Sequence, residues 1–398
     1  MHCFSTRAVH AGRADFNTLG VHAPPLDFSS TYPFTQLDEA TASLDALVEG
    51  AAEAPNPIYA RLHNPTVARF ETALADLECS EAAIAFSSGM AALTATLLAV
   101  KQTGNHVVGV RPLYGTTDHL LSSGLLGLDV TWTTADAVAD ALRPDTALVM
   151  IETPANPTLQ LVDIKAVVAQ VGTVPVLVDS TFATPVLQQP LAHGATFVLH
   201  SATKFLGGHG DVMAGVVATF EAWAQRLRQV RVATGALLHP MAAYMLHRGL
   251  PTLALRVKRA QATAQRLADR LRAHDAIQAV HYPDDRTHPA RHQMRGPGSI
   301  LAFEVRGGYD AARTVLRAVQ LMTPAVSLGS TDTLIQHPAG LTHRVVNADA
   351  RAANGISDGL LRLSVGLEAA EDLWADLDHA LAAARVSKPE ASLELMFA

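Results

Sequence analysis

Short apolar runs bounded by turn residues recur between about residues 67 and 220. "AAIAF", "HVVGV", "DVTWTT", "ALVMIE", "VPVLVDS", "ATFVLHS" and "AGVVATF" read as β-strands. Several are apolar at every position instead of alternating, as expected for a parallel sheet covered on both faces. Between them, "RFETALADLEC" and "DIKAVVAQVG" space their apolar residues at helical period. Strands alternating with helices predict a doubly wound α/β domain with a mostly parallel sheet.

The flanking segments follow other patterns. Residues 1–57 are irregular and proline-punctuated, with one helical stretch at "LDEATASLDALVEG"; they read as an arm suited to wrapping a neighbouring subunit. Residues 58–250 form the large α/β domain. Residues 251–398 open with "PTLALRVKRAQATAQRLADRLRAHD", an amphipathic helix long enough to bridge two domains. After it, "AVHYP", "SILAFEV", "DAARTVLRAV", "LLRLSVG" and "AEDLWADLDHALAAARV" alternate between strand and helix patterns and predict a smaller C-terminal α+β domain.

Composition narrows the function. A chain of 398 residues with 49% hydrophobic and 17% charged residues has ample material for a folded core. A net charge of −7 disfavours nucleic-acid binding, which needs a basic face. The two cysteines, Cys3 and Cys79, build neither a disulfide framework nor a CxxC metal site, so no metal is expected. Their scarcity, and the lack of an apolar signal core in "MHCFSTRAVHAGR", fit a cytoplasmic location. Ala82–Val100 is uncharged over nearly the roughly 20 residues that a membrane helix needs. It is interrupted at "SSG" and is rich in small residues, so a strand, a loop and a buried helix describe it better.

In open parallel sheets, ligands bind beyond the carboxyl ends of the strands. "AAIAF" runs into "SSGMAAL", where Ser88, Gly89 and Met90 open a helix; this is either an ordinary turn or an anion site built from free N–H groups. "VPVLVDS" ends in Asp179, a carboxylate that either caps the next segment or faces a ligand cation. "ATFVLHSATKF" ends in Ser201, Thr203 and Lys204. Of the five lysines, Lys101 abuts a turn, Lys165 and Lys258 lie on amphipathic helices, and Lys388 is in the tail; Lys204 alone follows an apolar strand. Desolvation there makes its amine a nucleophile towards carbonyls. Gly207 and Gly208 follow the lysine, whereas a nucleotide-binding P-loop needs its glycines before it.

Anion-binding amides, a buried carboxylate and a desolvated lysine describe a pocket for a phosphorylated aldehyde with a basic ring, pyridoxal 5'-phosphate (PLP). Tyr114 in "RPLYGTT" follows the "HVVGV" strand, where an aromatic could stack on that ring. Arg362, flanked by leucines in "GLLRLSVG", needs an anion such as a substrate carboxylate.

The stretches "YARLHNPT", "SSGMAA", "ETPANPT", "VDSTFATP", "HSATKFLGGHGD", "VSLGSTDTLIQHPAGLTH" and "GLLRLSVGLE" together resemble the trans-sulfuration (Cys/Met metabolism) enzymes of the aspartate-aminotransferase fold, PLP fold type I. The resemblance spans nearly the whole chain. It implies that Lys204 holds the cofactor aldehyde, that Asp179 pairs with the ring nitrogen, and that Tyr114 stacks on the ring and assists the leaving group. Ser88, Gly89, Met90, Ser201 and Thr203 would hold the phosphate, with Tyr59 and Arg61 reaching it from a partner subunit of a homotetramer. Asn156 would lie near the ring hydroxyl, and Ser327 with Arg362 would bind the substrate carboxylate.

Within that family, enzymes acting at Cγ on cystathionine commonly carry a glutamate before the "SLG" serine, and β-lyases a tyrosine. Val326 stands there, as in the γ-lyases of methionine, and those of methionine and cystathionine are the nearest in appearance. The expected reaction is α,γ-elimination on methionine, cystathionine or homocysteine, giving a 2-oxo acid, ammonia and a thiol. The alternative is γ-replacement on an O-acylated homoserine. Thr116, where a cysteine is usual, Ser180, where an asparagine is common, and Arg231, Val232 and Ala233 in place of a Lys-Asp pair depart from the methionine pattern. Thr116, Arg231 and Val326 are expected to bear on substrate choice.

Overall fold

The computed structural model describes residues 2–386; Met1 and the stretch 387–398, which includes Lys388 and ends the third predicted segment, lie outside the described residues. The larger sheet contains β1 Ala82–Phe86, β2 His106–Val110, β3 Asp129–Thr133, β4 Thr146–Glu152, β5 Val176–Asp179, β6 Phe197–His200 and β7 Gly215–Thr219. Their order is β1-β7-β6-β5-β4-β2-β3. The ladder from β3 to β6 is parallel, and β7 is antiparallel to both β6 and β1. The chain returns from β6 to β7 through residues 201–214 without a helical crossover, so β7 must run backwards.

Both faces of this sheet are covered, which explains the unbroken apolar runs. Ile84, Phe86, Phe197 and Leu199 pack on one face with helix Gly89–Val100. Ala83, Ala85 and Val198 pack on the other with helix Pro65–Glu78. Phe86 and Phe197 are fully buried, and each such side chain contributes about 1.5–3 kcal/mol. The stretch 82–100 is thus a strand, a turn and a buried helix, and no helix among the described residues is long and apolar enough to cross a membrane.

The "HNPT" motif is a helix start. Asn64 Oδ1 accepts from the Thr66 and Val67 N–H groups, and Pro65 fills the first helical position, where no N–H is needed. Helix Leu253–Arg272 leads into a second sheet of β8 Ile277–His281, β9 Ile300–Val305, β10 Thr323–Pro324, β11 Leu334–Gln336 and β12 Leu360–Ser364. Its order is β10-β11-β12-β9-β8, antiparallel except for β10 with β11. Helices Gly308–Ala318 and Ala370–Val386 accompany it. The two-residue β10 and three-residue β11 are too short for periodicity to reveal.

Candidate active site

The carboxyl ends of β1, β2, β4, β5 and β6 meet loops of the smaller sheet around a cavity of about 510 Å³. Ser88, Gly89, Met90, Tyr114, Asn156, Asp179, Ser201, Thr203, Lys204, Val326, Ser327 and Arg362 all line it.

The first wall is a helix N-terminus. Ser88 caps helix Gly89–Val100 by accepting from Ala91 N–H at 3.1 Å. Among the described residues, the Gly89 and Met90 N–H groups donate to no protein acceptor. A Cβ on Gly89 would sit 3.0 Å from Ser201 Cβ, so glycine lets the turn and the Ser201 loop approach closely. The Thr203 hydroxyl is fixed by Ala214, donating to its carbonyl at 3.1 Å and accepting from its N–H at 2.9 Å. Free amides beside serine and threonine hydroxyls suit a phosphate.

The floor carries two carboxylates. Asp179 Oδ1 accepts from the Thr181 hydroxyl at 2.6 Å and the Thr181 N–H at 3.0 Å. No lysine or arginine among the described residues pairs with it. Burial raises its pKa, opposed by the Thr181 donors and by His200. An acid held this way lacks a cation, which a protonated ring nitrogen would supply. Beside it, in parallel register, stands Glu152. Glu152 accepts from the backbone N–H of Tyr114 at 2.6 Å and of Asn156 at 2.8 Å. Burial, then the Asp179 charge, push its pKa well above the carboxylate range.

Lys204 Nζ donates to Ser327 Oγ at 2.7 Å. Burial first, then the Arg362 charge, lower its pKa to about 8. Arg362 is 2% exposed, donating to Asn156 Oδ1 at 2.8 Å and to the Ser327 carbonyl at 2.6 Å. The Gln336 amide, oriented with its oxygen towards Arg362, accepts from Nη2 at 2.9 Å. No carboxylate among the described residues lies within ion-pair distance of Arg362, so the arginine is left free for an anionic ligand. Ser327 itself has φ +83°, a strained conformation for a non-glycine residue at a functional site.

Other expected residues lie elsewhere. Tyr59 is exposed, and Arg61 donates to the Val232 carbonyl at 2.9 Å; neither lines the cavity of its own chain. Thr116 is exposed on helix Gly115–Ser122 and does not line the cavity, whereas Thr117 does. Arg231 is committed behind β1, paired with Glu71 and donating to the Ala85 carbonyl at 3.0 Å, away from the cavity. Ser180 is buried, taking a hydrogen bond from Gln188 Nε2 at 3.2 Å. Sequence reasoning missed Glu152, Thr181, Met213, Leu341 and Thr342 as lining residues. The signal for Glu152 was present, since it too is a carboxylate ending a buried strand.

Residues 5–382 match the family described as "Cys/Met metabolism PLP-dependent enzyme". The chain belongs to that family. It is therefore a PLP-dependent enzyme of fold type I, as the large, mainly parallel sheet with a smaller second sheet also indicates. It is 57% identical over 383 residues to a Streptomyces avermitilis protein named L-methionine gamma-lyase, covering 96% of this chain and 89% of that one. A Brevibacterium sandarakinum protein of the same name is 55% identical, covering 96% and 98%. Among solved structures, cystathionine gamma-lyase from Lactobacillus plantarum, complexed with L-serine, superposes with a TM-score of 0.87 at 34% identity, covering 96% of this chain and all of that one. Cystathionine gamma synthase from Xanthomonas oryzae, in complex with cystathionine, gives 0.88 at 37% identity, covering 97% and 99%.

Proposed function

We propose that this enzyme is a PLP-dependent carbon–sulfur lyase that converts methionine, by α,γ-elimination, to 2-oxobutanoate, ammonia and methanethiol. The observation that carries this reading is that exposed Val326, Leu341 and Met213 all line the cavity that also holds the cofactor and carboxylate set. An apolar rim suits a thioether, whereas a glutamate at position 326 would suit a charged distal group. The high identity to the two proteins named L-methionine gamma-lyase supports the same choice.

The residues divide the work. Gly89 and Met90 amides, with Ser201 and Thr203, would bind the phosphate; Asp179 would keep the ring nitrogen protonated; Tyr114 would stack on the ring. When bound, PLP supplies an electron sink for the charge that develops at the substrate α-carbon. Arg362 and Ser327 orient the amino acid through its carboxylate. Lys204 Nζ, whose pKa burial lowers to about 8, would take the α-proton and then a proton from Cβ, and the electron pair freed at Cβ expels the γ-sulfur. The Tyr114 hydroxyl donates a proton to the departing sulfur. One water is consumed overall, methanethiol leaves with the γ-bond, and ammonia leaves as the 2-oxo acid is released.

Tyr59 and Arg61 complete the phosphate site of a neighbouring copy, so the working unit is a homo-oligomer, with a dimer of catalytic dimers as the expected assembly. The arm that precedes them carries exposed Phe28, Phe34 and Leu37, which a partner would cover. The decisive assay gives holoenzyme methionine without an added nucleophile and measures 2-oxobutanoate, ammonia and thiol. Turnover only when an acyl-homoserine and a thiol are both supplied would replace the lyase by the transferase.

A further inference from the structure

We propose that Glu152 is a positioning residue that fixes two working parts of the site at once: the aromatic ring of Tyr114 and the Asn156–Arg362 arm that receives the substrate carboxylate. The proposal rests on the roles given above to Tyr114 and Arg362. It is carried by three contacts of one buried side chain. Oε2 accepts from the Tyr114 N–H at 2.6 Å, where Tyr114 precedes the first turn of helix Gly115–Ser122. Oε1 accepts from the Asn156 N–H at 2.8 Å, and Asn156 Oδ1 in turn accepts from Arg362 Nη1 at 2.8 Å. The carboxylate also ends β4 in register with Asp179 on β5, so the group expected at the ring nitrogen is its neighbour.

Glu152 needs both oxygens for this, and each serves a different segment. The Tyr114 loop follows β2, while Asn156 lies four residues beyond Glu152 and reaches across to β12. No other side chain among the described residues hydrogen-bonds both segments through their backbone N–H groups. A buried carboxylate beside a second carboxylate is costly, and a mere strand end does not require one. Its presence is accounted for by a task that a carboxyl group performs and an amide does not: each of its two oxygens accepts from a different backbone N–H. Glutamine in its place keeps one acceptor but turns an NH2 towards a backbone N–H, releasing one of the two segments. Aspartate keeps the charge but is one methylene too short to span both.

The test uses the holoenzymes Glu152→Gln and Glu152→Asp, with visible circular dichroism of the bound cofactor recorded before any substrate is added. Both variants should retain bound PLP and native far-ultraviolet spectra. Both should change the visible dichroic intensity at least twofold, because the ring has lost its fixed aromatic neighbour. The KM for methionine should rise about tenfold, the effect of losing one hydrogen bond to a charged group. Unchanged visible dichroism and KM, with only a lower melting temperature, would overturn the proposal. So would full restoration by aspartate, which would make charge and not reach the relevant property. Should neither variant fold, Asn156→Ala tests the second arm alone: it should raise KM for methionine, and an unchanged KM refutes the assignment. A native enzyme that ignores methionine while Glu152→Gln still alters the dichroism would remove the substrate reading and leave this one standing.

Discussion

Lys204 Nζ and Ser327 Oγ are joined by a 2.7 Å hydrogen bond across 123 positions of sequence, tying the loop after β6 to the loop between the short strands β10 and β11. The contact is backed by Gly329 (φ +80°), where a Cβ would lie 2.7 Å from the Phe205 backbone nitrogen. The lysine is therefore held between the two sheets, half-shielded from water and beside a permanent positive charge. Those surroundings lower its pKa to about 8. Only the neutral amine attacks an aldehyde, so covalent capture of PLP by the cofactor-free protein should accelerate as pH rises through about 8, and level off above it. An ordinary lysine would keep accelerating towards its usual pKa of 10.5. Stopped-flow absorbance across pH 6.5–10 reads the midpoint (roughly pH 8, given the desolvated amine). Lys204→Ala should give no borohydride-stable adduct at any pH.

Arg362→Leu should weaken methionine binding far more than it slows chemistry. Hydrogen bonds to a charged group contribute about 1.5–3 kcal/mol, so KM should rise about 10- to 100-fold. Arg362→Lys should recover little of this. A point-charge ammonium cannot satisfy Asn156, the Ser327 carbonyl and Gln336 while also offering a two-pronged face to a carboxylate. Steady-state kinetics decide it, and a lysine variant with native KM would show that charge alone suffices.

Gly208→Ala should destabilise the turn behind Lys204. Gly208 has φ +76°, and a Cβ there would collide with the guanidinium of Arg256. Arg256 is buried and pins that turn, donating to the Phe205 carbonyl at 2.8 Å and the Gly249 carbonyl at 2.9 Å. A strained φ with a displaced buried arginine should cost about 1–3 kcal/mol. Thermal unfolding should show a lower Tm, and PLP occupancy should fall with it.

The strands and their parallel core were legible from unbroken apolar runs, and the cavity-lining positions of Lys204, Asp179 and Arg362 from a local contrast, a charge at the end of an apolar run or, for Arg362, within one. Thr116 stays outside the cavity of its own chain for a geometric reason. Two positions along a helix turn a side chain to the far side, whereas three bring it back, and Thr117 is the residue that lines the cavity. Arg231 reads from sequence as a substrate-side substitution, yet its partner is Glu71, 160 residues away, which no spacing announces. Met213, Leu341 and Thr342 arrive on loops without periodicity, so only the closed fold brings them to the cavity.

Tyr59 and Arg61 lie outside the cavity of their own chain. Tyr59 is 44% exposed, and the Arg61 guanidinium lies 5.6 Å from the Tyr59 ring centroid. Arg61 is anchored by the Val232 carbonyl and has no carboxylate partner among the described residues. In the proposed assembly, this exposed cation beside an exposed aromatic, at the end of an arm with uncovered apolar side chains, would meet the phosphate of a neighbouring copy. Arg61→Ala and Lys204→Ala should each inactivate the homo-oligomer. Mixed, dissociated and reassembled, the two variants should regain activity, because a hybrid interface contains one site in which native Arg61 faces native Lys204. Random pairing makes half of the dimers hybrid and leaves one of their two sites intact, so about a quarter of native activity should return, if each site acts independently as additivity for separated positions implies. No recovery, with hybrid formation verified by native mass spectrometry, would place Arg61 in the service of its own chain.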